Sequence, residues 1–335
     1  MNKPETLEKL KHGVATWNAW RQETGTSEVS LTDADLSETQ LAGINLSGID
    51  ARGADLYRTD LSNSNIKMIN LTGADLSHAN LKSAGGYKAC LKNAALTEAN
   101  MEGADFSECD FTGADLRGAN LRGANLRGAK LGDARLDHAN LSNSTLIEAD
   151  ITGSSLSFAN VEDANLTTMQ YGGHKKMRGL YYGVRGLDSS YGNALFVRDA
   201  KDQDYLDTME VMIDRLPDGK LKHLEARLFR LWGLIDYGRS LAKVTFYAFL
   251  IASLYALLYT LDMSLGWGLM DYSNSAQSWF TPFYYSIVTY TTLGFGDVTA
   301  NNWIGEIVII SEVIVGYFTL GLLLSILANT IARRS

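Results

Sequence analysis

Cysteine is nearly absent from this chain: Cys90 and Cys109 are the two in 335 residues. No disulfide framework can be built from so few, and no bridge between these two is expected. The opening residues MNKPETLEKLKHG carry no secretory pattern, so the polar part of the chain is expected in a reducing cytoplasm. Histidine is sparse too. His12, His78, His138, His174 and His223 are scattered, none pairs with Cys or another His at metal-ligand spacing, and all five read as surface or structural residues. A Walker loop, a nucleophile elbow and an H-E-x-x-H helix are all missing. These absences leave an enzyme reading without support and suggest neither an organic cofactor nor a transition-metal site. Basic residues are outnumbered, 30 Lys and Arg against 38 Asp and Glu, for a formal charge of -8. That is the wrong sign for a phosphate backbone, and no nucleic-acid partner is expected.

What fills the first half is a period of five. Counting from Leu31 gives Leu36, Leu41, Leu46, Ala51, Leu56, Leu61, Ile66, Leu71, Leu76 and Leu81; after Gly86 the register runs through Leu91, Leu96, Met101, Phe106, Phe111 and Leu116 to Leu166. Two places before each stands a small residue, as in Ala74, Ala79, Ala104 and Ala114. Neither 3.6 nor 2.0 divides into this spacing, so neither one helix nor one flat strand keeps these residues on a single face. A coil with four corners does. The pattern A(D/N)LXX resembles the pentapeptide-repeat family, and the resemblance implies a right-handed quadrilateral β-helix, with the large and the small residue both pointing into the core. Residues 31–170 hold 28 such units, or about seven coils and a rod about 34 Å long at strand spacing. Residues twenty apart should stack, placing Arg117 over Asp137 and Arg122 over Glu102. The run LRGANLRGANLRGAK therefore reads as surface ion pairs rather than as a basic stripe. Some members of the family imitate DNA, which makes a DNA-mimic binding protein a rival reading of an acidic rod.

Ahead of the repeats, Leu7, Leu10, Val14, Trp17 and Trp20 recur at helical spacing, so residues 1–30 are expected to cap the first coil with a helix. Residues 171–218 break the register and read as a connector. Within them DAKDQDYLD lacks the ligands and turn glycine of an EF-hand loop and reads as a solvated face. Over 219–240, Leu221, Leu224, Leu228, Leu231, Trp232 and Ile235 form an apolar stripe beside Lys220, Lys222, Arg227, Arg230 and Arg239, the pattern of a helix lying on a membrane surface.

From Leu241 onward charge becomes scarce. Residues 241–261 and 303–331 are each long enough to cross a bilayer. Glu312 lies deep in the second run and should face protein or water. Arg227, Arg230, Arg239 and Lys243 precede the first span, and Arg333 and Arg334 come after the second; the positive-inside rule then puts both termini in the cytoplasm. The segment between the spans is too short to cross and return as helix, and non-helical backbone at that depth must be shielded by protein or line an aqueous path. Its TLGFGD resembles the TVGYG filter of the two-span potassium-channel pore. The resemblance implies a pore helix over 276–290 and a filter over 292–296. In it the carbonyls of Thr292, Leu293, Gly294 and Phe295, closed by Gly296, would replace the hydration shell of K+. It also implies that Asp297 and Tyr285 support the filter from behind, and that Gly316, nineteen residues after the aspartate, is the gating hinge. Phe295 lacks the hydroxyl of the usual Tyr, Leu293 replaces Val, and Val288 stands where some members have a buried Glu. No arginine-repeat span is present, which argues against voltage sensing of that kind.

The sequence thus describes a multidomain membrane protein, a pentapeptide-repeat β-helix followed by an α-helical two-span pore domain over 241–335. The expected assembly is a homotetramer in a cell membrane, with the lipid bilayer and permeant potassium ions as partners and the repeat domain available to a ligand or protein partner. The rivals are a non-selective cation channel and a membrane-tethered repeat scaffold.

Overall fold

The five-residue step is a hydrogen-bonded turn. Ala34 N–H donates to Leu31 O at 3.0 Å, and the third residue of that turn, Asp33, has φ +51°. A left-handed residue recurs at this position around the coil, as in Gly43, Asn63, Gly73 and Asn93, and the positive φ favours Gly, Asn and Asp there. The Asp or Asn before the large apolar residue locks the turn from outside: Asp35 Oδ1 accepts Ser37 N–H and Asn70 Oδ1 accepts Thr72 N–H, both at 3.1 Å. Four turns close a coil, and residues twenty apart pair in parallel from Ser30 with Asp50 to Asp150 with Gln170. In this computed structural model, residues 3–24, 29–172, 180–234, 241–275, 278–291 and 298–332 are described.

Both inward residues are buried, Leu71, Leu76 and Leu81 with Ala74, Ala79 and Ala84. Two polar residues that take the small position donate to backbone carbonyls: Thr59 Oγ1 to Leu36 O at 2.7 Å and Ser154 Oγ to Leu131 O at 2.6 Å. Cys109 does the same to Gly86 O, and burial pushes its thiol up to about 12; Cys90 and Cys109 are both free. On the surface, stacking by twenty does pair charges, as in Lys82–Glu102 and Lys88–Glu108. The expected partners need correction, however. Arg117 stacks on Asp137 as expected, with Gly118 N–H donating to Asp137 O, but its guanidinium bonds Asp115 two residues before it at 2.6 Å, and Glu102 takes Lys82 from the coil below.

The ends depart from the expected boundaries. Residues 1–30 hold two helices, α1 (Lys3–Lys11) and α2 (Val14–Thr24), divided at Gly13, where φ is +91°. α2 covers the first coil: Trp17 Nε1 donates to Asn45 O at 2.7 Å and Arg21 to Ser47 O at 2.6 Å. At the other end the β-helix continues past Gln170, with Arg185 pairing Asn160 and Tyr191 pairing Asn165. Then α3 (Ala194–Arg215) begins, capped by Asn193, and buries Phe196 against Tyr181 and Tyr171. The acidic run lies inside α3 rather than on a purely solvated face: Asp204 accepts Gly183 N–H at 2.7 Å, and Gln203 and Asp207 are buried.

The chain divides into two compact units, Met1–Met212 and Ile213–Ser335. In the second, α4 (Lys220–Leu234) precedes α5 (Leu241–Leu265), β1 (Met270–Asp271), α6 (Thr281–Tyr290), β2 (Thr299–Ala300) and α7 (Trp303–Ala332). β1 and β2 are antiparallel, Met270 opposite Ala300. α5 outruns the expected end at residue 261 because Asp262 turns inward to bond the loop beyond it, and Gly266, at φ +64°, ends the helix.

Gly86 occupies a core position that most often holds Leu, and the Phe106 ring of the next coil fills the space: a Cβ on Gly86 would lie 2.5 Å from it. We expect Gly86→Ala to destabilise the rod by about 1–3 kcal/mol and Phe106→Leu in that background to restore part of the loss, as read by denaturant unfolding. Full stability of the single variant would show that the ring is free to move aside.

Candidate ion-conduction site

α6 has ten residues, about 15 Å of helix, half the thickness of a bilayer core. It is thus too short to cross a bilayer on its own. It starts later than expected, at Thr281 rather than residue 276, with Pro282 in its first turn, where a missing backbone N–H costs no helical hydrogen bond. Of the five residues ahead of it, 276 and 277 lie outside the described residues. Its buried side carries Tyr285, Ser286, Thr289 and Tyr290, and it packs against both α5 and α7.

Three attachments fix this helix and its loops. Tyr285 stacks edge-on against Tyr259 of α5, with ring centroids 5.1 Å apart. Glu312 of α7, fully buried, meets Tyr259 Oη and Ser286 Oγ, each at 2.5 Å, so the deep carboxyl faces protein as its position demanded. Ser286 Oγ in turn lies 2.7 Å from Ala252 O of α5. At the C-terminal end of α6 the Tyr290 carbonyl rests on Gly316, where an added Cβ would collide with the oxygen. The loop after α5 is pinned separately: Asp262 accepts Leu269 N–H at 2.8 Å and Met270 N–H at 3.0 Å.

Among the residues singled out from sequence, Tyr285 and Gly316 are thus placed on the two sides of α6. Thr292, Leu293, Gly294, Phe295, Gly296 and Asp297 lie outside the described residues. They are bracketed by Thr291, whose amide bonds Ile287 O, and by buried Val298, from which the chain returns through β2. Gly316, expected as a hinge, has a packing duty, for only a residue without a side chain admits the Tyr290 carbonyl. Sequence reasoning missed Asp262, Tyr259 and Ser286. A signal for the last two existed: a carboxyl deep in an apolar run requires donors, and hydroxyls in the neighbouring runs are the groups that supply them. Among the described residues, no group of three or more His, Cys, Asp or Glu is placed to hold a metal ion.

α5 and α7 are apolar enough and long enough to cross a membrane, and only 22% and 17% of their most apolar windows is buried. A core helix of a water-soluble protein would be mostly covered. Phe246, Phe249, Leu254, Ile307, Ile314 and Phe318 all stand more than half exposed, an apolar surface that water does not tolerate at this extent.

Gly316→Ala should force α6 away from α7 and so alter what lies directly after Tyr290. We expect a loss of about 1–3 kcal/mol in thermal stability in detergent together with a changed ion flux. An unchanged melting temperature and an unchanged flux would show that the contact yields without consequence.

Residues 30–67, 89–128 and 129–167 match the family described as pentapeptide repeats, in eight copies, and residues 242–333 match the family described as ion channel. A search of curated proteins finds no match. Among solved structures the chain is similar to HetL, a pentapeptide repeat protein involved in heterocyst differentiation regulation from Nostoc sp. strain PCC 7120. The two are 24% identical with a TM-score of 0.27, over 57% of this chain and 96% of that one. It is also similar to QnrB1, a plasmid-mediated fluoroquinolone resistance protein, at 22% identity, TM-score 0.31, 52% of this chain and 96% of that one. A third is Rfr23, from the cyanobacterium Cyanothece 51142, at 24% identity, TM-score 0.17, 47% of this chain and 99% of that one. The chain carries a pentapeptide-repeat β-helix followed by an ion-channel domain.

Proposed function

We propose that the chain is the subunit of a homotetrameric, potassium-selective channel of the cell membrane, with the pentapeptide-repeat domains and both termini in the cytoplasm. The observation that carries this reading is α6: a helix too short to span, gripped between two helices long and apolar enough to do so, and ending at Tyr290, two residues before TLGFG. Helix carbonyls at its C-terminal end carry partial negative charge, which favours a cation at that depth. Glycines at alternate positions permit the dihedrals that aim successive carbonyls one way, and four such segments around an axis would replace the hydration shell of K+. Thr292, Leu293, Gly294, Phe295 and Gly296 would line the path, with Asp297 and Tyr285 behind it. Backbone rather than charged side chains would do the selecting, which favours this reading over a non-selective pore.

Trp267, Trp279 and Trp303, all at least half exposed, lie at or between the facing ends of α5 and α7, and aromatic residues of this kind favour the membrane boundary. Basic residues lie at the opposite ends of the spans, which supports a cytoplasmic location there. None of the residues of α4 is buried, and Leu221, Leu224, Leu228 and Leu231 stand 54–61% exposed beside Lys220, Lys222, Arg227 and Arg230. An anionic bilayer surface, which must lie close to the start of α5, complements both the apolar stripe and the charges.

Purified protein in liposomes should pass K+ at least about tenfold faster than Na+, and Gly294→Ala should abolish flux or selectivity. Equal fluxes would convert the reading to a non-selective pore, and no flux from correctly inserted tetramers would leave a tethered scaffold.

For α4, a fluorophore placed at Leu228→Cys, in a chain with Cys90 and Cys109 replaced by Ser, should be quenched by brominated acyl chains in anionic vesicles. A fluorophore at Arg227→Cys should be quenched from water instead. Equal aqueous quenching at both positions would remove α4 from the membrane.

A further inference from the structure

Three polar contacts converge around Glu312, and two hydroxyl protons are available to make them. Ser286 Oγ lies 2.5 Å from Glu312 Oε1 and 2.7 Å from the Ala252 carbonyl oxygen, while Tyr259 Oη lies 2.5 Å from Glu312 Oε2. A carbonyl oxygen brings no proton, and a serine hydroxyl brings one. If Glu312 is ionised, Ser286 serves either the carboxylate or the carbonyl, and the other pair of oxygens is left at hydrogen-bond distance with lone pair facing lone pair. A proton on Glu312 satisfies all three contacts at once. The carboxylic acid donates to Ser286 Oγ, Ser286 donates to Ala252 O, and Tyr259 donates to Glu312 Oε2.

We propose that Glu312 carries a proton in the assembled molecule and acts, as a neutral acid, as the positioning residue that holds α6 between α5 and α7. Its surroundings favour the neutral form. Glu312 is fully buried, and an isolated charge there would have no compensating cation among the described groups that face it, which are Tyr259 on α5 and Tyr285 and Tyr290 on α6. Tyr255 is engaged with Ser311, the neighbour of Glu312, at 2.9 Å, and Asp262 with the amides of the loop after α5. On α7 itself Glu306 is exposed, more than one turn away. The carbonyl of Ala252 belongs to a helix and can also accept from the amide four residues on, so the contact from Ser286 is an added tie between α6 and α5. Ionisation of Glu312 would draw the Ser286 proton to the carboxylate and release that tie. The consequence for conduction rests on the channel reading; the proton does not.

Two measurements on the full-length protein test this. Infrared difference spectra between the wild-type protein and Glu312→Gln at neutral pH should show the carbonyl stretch of a protonated carboxylic acid that the variant lacks. A carboxylate band in its place would overturn the proposal whether or not the protein conducts. In liposome flux, Gln reproduces the neutral acid, with an oxygen to accept from Tyr259 and an N–H to donate to Ser286. Glu312→Gln should therefore retain flux within about twofold, while Glu312→Ala, which leaves both hydroxyls short of a partner, should lose about tenfold. Wild-type flux should also fall as the pH is raised, and that fall should be missing in Glu312→Gln. A Gln variant as impaired as Ala, or a pH response common to wild type and Gln, would assign Glu312 an ionised role. Silence of every variant, the wild type included, with the acid band present would instead defeat the channel reading alone.

Discussion

At membrane depth a polar group that finds no partner in protein or in a water-filled path finds none at all, and this constraint shapes the second half of the molecule. The hydroxyls of Thr245, Ser253 and Thr260 turn back onto carbonyls of their own helix at 2.8–2.9 Å. Asp262 commits its carboxylate to the amides of the loop after α5. Glu312, the deeper of the two carboxyl groups of α7, meets hydroxyls from two different helices. In each of the last two cases a group that would be costly alone becomes the reason that two segments stay together. The helix α6, too short to be anchored by its own apolar length, depends on these ties more than either of its neighbours does.

The rod solves the same accounting in water and by a different route. Turn after turn closes its own hydrogen bond, an Asp or Asn just before the turn covers an amide, and each coil passes its remaining bonds to the next. The core is correspondingly thin, one large and one small residue per step, so a change at Gly86 is felt by Phe106 directly above it and by little else. The open ends are the exceptions, since the first and last coils have bonds with no next coil to receive them. Trp17 and Arg21 close the first, and Asn193 closes the last by donating to Met169 O at 3.0 Å.

The period of five was legible because the turn itself dictates it: the large residue, the left-handed position and the small residue each recur at fixed offsets whatever the rest of the sequence does. The two long apolar helices were legible from length and lack of charge. The continuation of the β-helix through Arg185 and Tyr191 was not. Added residues after Gln170 change the spacing from twenty to 25 and 26, and Tyr181 stands in the core where the pattern leads one to expect Leu. Nor was α3 legible, because its acidic run reads as solvated until Gly183 is seen to donate into it. For the candidate site, Glu312 could be picked out as a buried group, but its partners come from runs 26 and 53 residues away, a separation that no local pattern encodes.

Two contacts on α7 are one helical turn apart, and so are the two on α6 that receive them. Glu312 meets Ser286, and Gly316, four residues on, receives the carbonyl of Tyr290, four residues after Ser286. The helices therefore share a seam in the same direction, joined at one point by a side-chain bond and at the other by backbone approach. Displacement of α7 at this level must either carry α6 with it or break both contacts. A bend centred on Gly316 would open the second contact first, at the residue from which the chain leads into TLGFG. Attachment of α6 to α7 is thus a property of the seam as a whole, and Glu312, at its upstream end, is the member that a single proton can alter.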